Sequence, residues 1–542
     1  MHKGAGWDFD VLVCGSNMLG TGLLAALRLS GETQLMKLGQ VSSLPAHSSS
    51  SSSPPTSLSP VHVLTATNVS FLQSLGIWDG LKQRSQCILA AQVWDHAGPG
   101  VVRVTANDMG VPELGRCVAA EALESALKAA ASAGTDMASP VTALEGWHVV
   151  SVELPKDERE PATVILADVA GTTRTVTSRL VVGCDAAMAS QARRSAGMRQ
   201  YSVDSGRVVV QATVDVSEQH ETVWQRYLPS GPLALLPLWE SRSLVQWCTS
   251  EAEGHRLVAL ASSDPEAWAA EVNTLLHASP EYTLGALNEG ETTVEGAAAP
   301  PPADLPLPDP MDWPVPDEVK RGIKQAQERL EGSPLASIFP THENIADGLE
   351  KFARSRQMAK KEIRLAGEAL MGAALLKDPY RAPPRVLGLA SISVKGTDTC
   401  TDVGVSAGAG AVTCVPASSR QSTTYVAPQG RLALVGEGGH SELPLSGRGT
   451  SIGMGDIEEL TATLGHVLST GGDIGLARNL VPYSQTQVRK NMTKTGVAEG
   501  IDRLYAYNDN DNFKFLRSLG MLAMHGSGAM KTHMARMILG YT

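Results

Sequence analysis

The sequence predicts a mixed α/β fold: a discontinuous Rossmann-like domain, an antiparallel-sheet domain and C-terminal helices. Three observations lead to this prediction. Residues 9–29 read as a strand, a glycine-containing turn and an apolar helix, which is how a dinucleotide-type βαβ unit begins. Residues 207–248 contain four strand patterns separated by turns, which is typical of an antiparallel meander. Helical patterns at residues 457–468 and 513–539 close the chain.

Size and charge limit the classes of protein to consider. With 542 residues the chain is too long for one ordinary core, so two packed units are expected. Its net charge of -11 argues against a general nucleic-acid binder, because phosphate contacts need a surplus of lysine and arginine. The 7 cysteines include no CxxC pair, and no histidine cluster has ligand spacing. Neither a disulfide framework nor a metal site is therefore predicted.

Membrane-spanning and targeting segments are not evident in the sequence. No apolar run approaches the roughly 20 residues that a membrane-spanning helix needs. A transit peptide should be an Arg-rich, acid-poor amphipathic stretch, and residues 1–7 are too few to form one before the first strand.

The remaining elements follow from local patterns. A second strand is predicted at residues 33–38 and a helix over residues 61–81. Two further strands, joined by a Gly-Pro-Gly turn, are predicted at residues 88–96 and 101–108. Downstream we predict a helix at 118–131, strands at 148–154, 162–168 and 179–184, and a strand at 432–435 that leads into a glycine-rich loop and helix.

Four segments differ in composition from a packed core. Residues 42–60 are rich in Ser and Pro and residues 290–318 in Pro, Ala and Asp, so both are predicted to lack regular structure. Residues 319–377 read as a charged helical insertion of mixed sign, which suits either a solvated face or a partner-facing helix. Residues 471–542 are predicted to form a C-terminal helical region.

The turn after the first strand carries the first chemical signal. Gly15 and Gly20 stand where the first and third glycines of a GxGxxG motif would stand, at a helix start that presents N–H groups to an anion. Asn17 replaces the middle glycine, and its side chain would obstruct a diphosphate at the point of closest approach. The turn therefore indicates either a nucleotide site or a retained structural turn.

A dinucleotide site of this type also requires an acidic residue at the end of the second strand, where it accepts the ribose hydroxyls. The predicted position is Lys37, whose ammonium group only donates hydrogen bonds. An ordinary lysine at a strand end is the alternative interpretation.

Residues 431–460 are the most informative stretch of the chain. Their order resembles the flavin-binding segment of the aromatic-ring monooxygenases related to p-hydroxybenzoate hydroxylase, in which GD is followed by AxH, a proline and GxGxNxGxxD. Glu437 stands in place of that family's aspartate and Ser451 in place of its asparagine, while Arg448 separates the two glycines. The matching residues are Gly436, His440, Pro444, Gly447, Gly449, Gly453 and Asp456.

Within that family the chain is most similar to the ubiquinone-biosynthesis monooxygenases, especially the mitochondrial branch. The segments SLGIWD, QVWD, VWQRYLPSGPLALLPL and YVAPQGRLALVGEGGH carry the similarity and occur in the family's order. The resemblance implies an FAD-binding domain over residues 9–200 and 425–470. It also implies an antiparallel substrate domain over residues 201–290 and 385–415.

The resemblance further implies which residues hold the cofactor. Asp185 belongs to the family's middle motif, which reads GCDAAMASQARR here, with Ala186 replacing a glycine and with Ser190 and Arg193 displaced by one position. No side chain is identified as catalytic, and no metal is implied. FAD would be bound through Gly15, Gly20, Asp185, Gly436, Glu437, Gly447 and Gly449.

The implied function is that of an FAD-dependent monooxygenase of ubiquinone biosynthesis. It would use O2 to hydroxylate a polyprenylated phenol in the mitochondrion, with peripheral association with a membrane. The departures at Asn17, Lys37 and Ala186 leave a second interpretation open. In it, the chain is a catalytically inactive, flavin-free homologue that acts as a scaffold or assembly factor through its inserted segments.

Overall fold

The computed structural model of the chain describes residues 7–43, 61–98, 100–133, 140–277, 382–389, 412–442, 449–506, 517, 520–521 and 524–539. All of them belong to one compact unit. The predictions for residues 44–60, 290–318 and 319–377 lie outside the described residues, as do Pro444, Gly447 and Arg448.

Three β-sheets, with helices packed on them, form the framework of the described part. In chain order the strands are β1 (Phe9–Cys14), β2 (Leu38–Ser42), β3 (Val61–Thr65), β4 (Ser85–Ile88), β5 (Ala90–Asp95), β6 (Val101–Thr105), β7 (Gly115–Ala119), β8 (Thr142–Glu145), β9 (Trp147–Glu153), β10 (Ala162–Asp168), β11 (Thr173–Gly183), β12 (Gln200–Val216), β13 (Thr222–Leu228), β14 (Gly231–Pro237), β15 (Arg242–Ser250), β16 (Val386–Leu389), β17 (Thr413–Ser422), β18 (Leu432–Leu434) and β19 (His440–Ser441). The helices are α1 (Met18–Leu29), α2 (Ala66–Ser74), α3 (Ala106–Met109), α4 (Ala120–Ser132), α5 (Ala186–Ser195), α6 (Glu251–Ser263), α7 (Pro265–His277), α8 (Gly449–Ser469), α9 (Ala477–Ala506) and α10 (Gly528–Leu539).

The first sheet has the strand order β8-β2-β1-β11-β10-β9, and β18 also pairs with β11. The strands β8, β2, β1, β11 and β18 run parallel, as the Rossmann-like prediction requires. β11 makes this sheet mixed, because its first half pairs antiparallel with β10 and its second half pairs parallel with β1. The main apolar core lies between this sheet and the helices α1, α4 and α8.

The second sheet has the order β19-β17-β12-β15-β14-β13-β5-β6, with β16 also paired to β12. Its strands β13, β14 and β15 form an antiparallel meander, but β12, which the sequence prediction placed at the start of that meander, pairs with β15 at the far side instead of with β13. The third sheet, β3-β7-β4, shares an apolar cluster with the second, and this cluster includes Val61 of β3 and Ala234 and Leu236 of β14. The domain limits proposed from the sequence stay a prediction.

The second strand of the chain begins later than the sequence predicted. Residues 31–36 form turns and bends, and β2 begins at Leu38. Its parallel register places Cys14 of β1 beside Val41, and both side chains are buried. The prediction of a strand over residues 33–38 was wrong because pairing with β1, rather than local propensity, sets where this strand begins.

The stretch predicted as one helix over residues 61–81 begins with a strand. Its first five residues form β3, which pairs antiparallel with β7. α2 starts at Ala66, where the Thr65 hydroxyl accepts the Asn68 N–H and the Asn68 side chain accepts the Thr65 N–H. The apolar and β-branched sequence VHVLT suits a strand once β7 offers its edge, a long-range contact that a local pattern does not contain.

α9 is a 30-residue helix that the sequence analysis placed only within a general C-terminal helical region. Pro482 lies inside it, and a proline is usually a sign that a helix ends. α9 packs along α8, which begins at Gly449, earlier than the predicted 457. Across the described part of the chain, no helix combines the length and the apolar character needed to cross a membrane.

A buried ion pair joins the start of β18 to the chain that leads into α9. Two guanidinium nitrogens of Arg431 bond the carboxylate oxygens of Asp473 at 2.9 and 2.7 Å, and Arg431 is fully buried. Arg431 has a left-handed φ of 62°, which its N–H bond to the Gly475 carbonyl, 2.7 Å long, helps to hold. Arg179 of β11 extends the network to Asp10 of β1 at 3.0 Å. The network therefore ties three parallel strands to the C-terminal helices.

Replacing Arg431 with Met tests this connection. We expect R431M to lower the free energy of unfolding by about 3 kcal/mol, because the Asp473 carboxylate loses its two-point partner in a partly buried place. Equilibrium denaturation measures the change. The matched control is R478M, which removes an exposed pair with Glu158 at 4.0 Å and should leave stability unchanged within error. Equal stability of R431M and wild type would contradict the role assigned to the ion pair.

Candidate functional site

The candidate site lies where three neighbouring parallel strands end. β1 ends before Gly15, β11 ends before Cys184 and Asp185, and β18 leads through Val435 into the turn at Gly436. Because β1 pairs with β11 and β11 with β18, these turns meet at one edge of the first sheet. The carboxyl ends of parallel strands are the usual position of ligands in α/β folds.

Gly15 and Gly20 make the first of these turns compact. Gly15 has a left-handed φ of 130°, and a Cβ on it would come within 2.8 Å of the Asp185 Cβ. A Cβ on Gly20 would collide with the Gly15 carbonyl oxygen. Both glycines are therefore required by the packing of the protein itself, and they bring the turn directly against Asp185.

Asn17 caps α1 from within the chain. Its side-chain oxygen accepts the Gly20 N–H at 2.9 Å, and its amide nitrogen donates to the Cys184 carbonyl at 3.0 Å. A phosphate at a helix start would use the same kind of N–H donor. The N–H of Gly20, one of the first-turn donors that an anion would need, is therefore already engaged by the protein.

The residue at the end of the second strand is Ser42, not Lys37 as the sequence analysis predicted. Lys37 precedes β2, and its backbone N–H donates to the Asp10 carboxylate at 2.9 Å. The Ser42 hydroxyl donates to the Ser16 hydroxyl at 2.9 Å. The sequence analysis placed the ribose acceptor at the wrong residue because it started the second strand too early. The correct position, at the end of β2, carries no carboxylate either.

The turn after β18 is held by the fully buried carboxylate of Asp456 on α8. One oxygen of Asp456 accepts the Gly436 N–H at 2.9 Å and lies 2.7 Å from the His440 Nε2. The other accepts the side-chain amide of Asn491 on α9 at 3.0 Å. The structure therefore brings together Gly436 and Asp456, two residues of the matched motif, and adds Asn491, which no sequence signal indicated.

Two carboxylates border the same edge of the sheet. Asp185 caps α5, because its Oδ1 accepts the N–H groups of Ala187 and Met188 at 2.8 and 3.1 Å. Glu437 is an exposed residue, but neighbouring protein atoms partly desolvate its carboxyl. This desolvation, together with the charge of Asp185, raises the pKa of Glu437. Arg420 opposes the shift from the side of β17.

The N-terminus of α8 is bonded to the third sheet. The Thr450 hydroxyl lies 2.8 Å from Nδ1 of His62, and the side-chain amide of Asn68 donates to the Ser451 carbonyl at 3.1 Å. A Cβ on Gly449, the first residue of α8, would find no described atom within 4 Å. This helix start is therefore fixed in place, and no described atom crowds its first residue.

His62 is a polar group that the sequence analysis missed. It is buried, and among the described residues its Nε2 has no hydrogen-bond partner. Burial lowers the pKa of His62 to about 4, so the imidazole is neutral at physiological pH. Burial of a histidine beside a helix start has no signature in the sequence.

The two ends of the site differ in how well they suit FAD. At the α8 end, the helix N-terminus, the Glu437 carboxylate and the His62 Nε2, which has no partner among the described residues, offer hydrogen bonds to a ring and a ribityl chain. At the α1 end, Asn17 engages the Gly20 N–H, and no carboxylate follows β2. The described residues therefore fit the flavin half of FAD and do not fit its adenosine-diphosphate half.

Comparison with curated proteins finds relatives over nearly the whole chain, although no protein-family model matches it. The human protein named ubiquinone biosynthesis monooxygenase COQ6, mitochondrial, is 23% identical over 544 residues, 98% of this chain and 92% of the relative. The zebrafish (Danio rerio) protein of the same name is 22% identical over 535 residues, 96% of this chain and 88% of the relative. The fission yeast (Schizosaccharomyces pombe) protein of that name reaches 33% identity, but over 18% of this chain.

Solved structures share the fold. The p-nitrophenol 4-monooxygenase PnpA from Pseudomonas putida superposes with a TM-score of 0.55 at 12% identity, over 97% of this chain and 96% of that one. A variant of HpxO from Klebsiella pneumoniae, solved as a complex with FAD, has a TM-score of 0.51 at 13% identity and covers 98% of both chains. These matches confirm the predicted fold class, and together with the curated relatives they confirm the resemblance that the motifs indicated.

Replacing Asp456 with Ala tests the anchor of the turn after β18. We expect D456A to lower the free energy of unfolding by about 3–5 kcal/mol, because three buried donors lose their acceptor together. The matched control is E459A on the same helix, which removes a partly exposed pair with Lys490 at 3.5 Å and should cost far less. Denaturation curves of the two variants decide the matter, and similar losses in both would contradict a special role for Asp456.

The buried imidazole of His62 predicts a pH dependence of stability. Its pKa falls from 6.5 to about 4 on folding, so the unfolded chain binds a proton that the folded chain does not. Stability is therefore complete above pH 6.5 and decreases as the pH falls toward 4, by about 3 kcal/mol for this group.

His220 behaves similarly, because burial lowers its pKa to about 4 as well, so the readout is a difference between variants. H62Q should flatten the pH profile of stability relative to wild type, whereas H255Q, at an exposed site, should leave the profile unchanged. Identical profiles for wild type and H62Q would contradict the neutral, buried state of His62.

Proposed function

We propose that this chain is a flavin-dependent aromatic-ring monooxygenase of ubiquinone biosynthesis that hydroxylates a polyprenylated phenol. The observation that carries the proposal is the meeting of the turns at Gly15, Asp185 and Gly436 with the start of α8 at one sheet edge. The four segments come from three distant parts of the chain, because the turn at Gly436 and α8 are close in sequence. Similarity to proteins named ubiquinone biosynthesis monooxygenases, over 98% of the chain, supports the same assignment.

A flavin, when bound, supplies the reaction with O2 that the polypeptide cannot perform. In this proposal the residues of the chain position it. The Gly436 turn, held by Asp456, would present Glu437 to the ribityl chain. The start of α8 at Gly449 would turn its N–H groups and positive dipole end toward the flavin ring. Gly15 and Gly20 would shape the turn beside the flavin without binding the adenosine diphosphate, and Asp185 and Gly447 complete the proposed set.

His62 is the polar side chain best placed to contact the ring system. Its Nδ1 is bonded to the Thr450 hydroxyl at the start of α8, which leaves Nε2 as the interacting atom. A neutral imidazole can donate or accept one hydrogen bond there without adding charge to a buried place. We therefore include His62 in the proposed site as a hydrogen-bonding residue, and we assign it no step of the reaction.

The substrate would lie against the second sheet, along residues 224–238. In this region Ala234, Leu236 and Leu238 belong to an apolar cluster with Ile88, which suits a prenylated molecule better than a charged one. A polyprenyl chain resides in a lipid bilayer, so the proposal includes peripheral association with a membrane. The curated relatives are named as mitochondrial, and we propose the same location for this chain.

A second candidate function is that of a flavin-free scaffold or assembly factor. The capping of α1 by Asn17 and the serine at the end of β2 favour it, because both remove contacts on which FAD affinity depends. In this alternative the inserted segments 290–318 and 319–377 would contact partner proteins. The two candidates differ in whether the chain binds flavin.

Reconstitution with flavin tests the proposed function. The purified full-length chain, incubated with FAD or FMN and desalted, should keep a yellow chromophore. With a chemical reductant and O2 it should convert a short-chain prenylated phenol to a product that is heavier by one oxygen atom, as detected by mass spectrometry. Absence of both colour and product would overturn the proposal and favour the scaffold.

Two glycine variants give a matched control for that assay. G436A places a Cβ at a φ of 54° and against Leu19, within the proposed site. G76A places a Cβ at a φ of 70°, with no described atom within 4 Å. Both variants carry a strained backbone, so strain alone would affect them equally. We expect only G436A to lose flavin and product, because only its Cβ lies within the proposed site.

A further inference from the structure

We propose that this site recognises the riboflavin-phosphate half of a flavin and makes no productive contact with the AMP half, so that FMN binds about as well as FAD. The inference rests on the proposed function and concerns the specificity of the same site. It follows from residues at the α1 end that already satisfy one another, whereas at the α8 end the His62 Nε2 has no partner among the described residues.

The first step concerns the donors that a diphosphate would need. Asn17 is held at two points, by the Gly20 N–H at 2.9 Å and by the carbonyl of the fully buried Cys184 at 3.0 Å. A phosphate oxygen that approached the Gly20 N–H would have to displace both bonds. Asn17 therefore occupies the place of the anion as a neutral, built-in cap.

The second step concerns the adenosine ribose. A carboxylate at the end of β2 would accept hydrogen bonds from both ribose hydroxyls, and Ser42 offers one neutral hydroxyl instead. That hydroxyl is buried and donates to Ser16 in the turn that follows β1. Gln40, also on β2, donates to the Gly15 carbonyl at 3.2 Å. The side chains of Gln40 and Ser42 are thus already bonded to the turn after β1, where an adenosine ribose would need them.

The third step concerns charge. The turn after β1 packs on the Cβ of Asp185, so a second phosphate placed there would lie near a carboxylate whose charge also acts on Glu437. Cationic groups lie instead along the turn after β18, where Arg193 donates to the Gly438 carbonyl at 3.3 Å and Arg420 lies near Glu437. One phosphate, next to the ribityl chain, can use these cations. A second phosphate with its adenosine gains nothing comparable from the α1 end.

Titration of the full-length chain with FMN, FAD and ADP tests the inference. Flavin fluorescence and calorimetry give the three dissociation constants. We expect FAD to bind less than about tenfold more tightly than FMN, and ADP to show no binding up to about 1 mM. Tighter binding of FMN than of FAD also supports the inference. An FAD preference of about tenfold or more, or binding of ADP below about 1 mM, would overturn it.

Failure of the proposed function gives a different result from failure of this inference. If neither flavin binds, the monooxygenase assignment fails, and the ADP measurement alone decides whether the α1 end recognises an adenosine diphosphate. If FAD binds and ADP competes with it, the proposed function stands and the inference fails.

Restoring the missing groups provides the converse test. N17G with S42E should raise FAD affinity about tenfold or more and leave FMN affinity unchanged, because both changes act at the AMP end. The matched control S43E adds the same charge at the adjacent exposed serine and should change neither affinity. S42E alone keeps the Asn17 cap of α1. It therefore still tests the ribose contact if the double variant fails to fold because N17G removes that cap. No gain for FAD in a folded S42E or double variant would show that these residues are not the cause.

Discussion

One fully buried carboxylate, that of Asp456, holds the candidate site together. It accepts hydrogen bonds from the turn after β18 and from Asn491 on α9, and it lies against His440 at the start of β19. Asn491 continues the network to the Tyr425 hydroxyl at 3.1 Å. A carboxylate removed from water is tolerated only where donors surround it. Each of these segments must therefore be in place for the others to be, so the site depends on α9, a helix that follows all of its motifs in the chain.

Most of the motif glycines are explained by packing within the protein. Leu19 of α1 fills the space between the turn after β18 and α8, and a Cβ on Gly436 or on Gly453 would collide with it. Gly15 is confined in the same way by Asp185. These glycines are needed for the fold whether or not a cofactor binds. Asn17, with an ordinary φ of -65°, is free of this constraint, and it is where the chain departs from the motif.

The two helix starts at the site illustrate how one feature of a fold can serve different ends. Both α1 and α8 direct backbone N–H groups and a positive dipole end toward the carboxyl edge of the sheet. α1 is capped by its own Asn17 side chain, whereas α8 is tied to the third sheet through Thr450, and no described atom lies within 4 Å of a Cβ placed on Gly449. The capacity of such a site for an anion is therefore decided by capping side chains rather than by the helices themselves.

The sequence by itself determined the elements whose signals are local. β1 and α1 lie within residues 9–29, where the sequence predicted a strand, a turn and a helix, because an apolar run, a glycine turn and a helical pattern lie together in the chain. A hydrogen bond joins Gly436 to Asp456, two residues of the matched motif. The fold class was implied by the resemblance, and the order of these local patterns agrees with it.

The tertiary structure alone decided what depends on partners far away in the chain. β2 begins where β1 pairs with it, and β3 is a strand because β7 lies beside it. The same error of register put the ribose position at Lys37 instead of Ser42. His62 is bonded to Thr450, which lies hundreds of positions away in the chain. Asn491 and Asp456 are bonded across two separate helices. Pairing, burial and hydrogen bonding between distant segments are set by the packed chain as a whole, so no local pattern contains them.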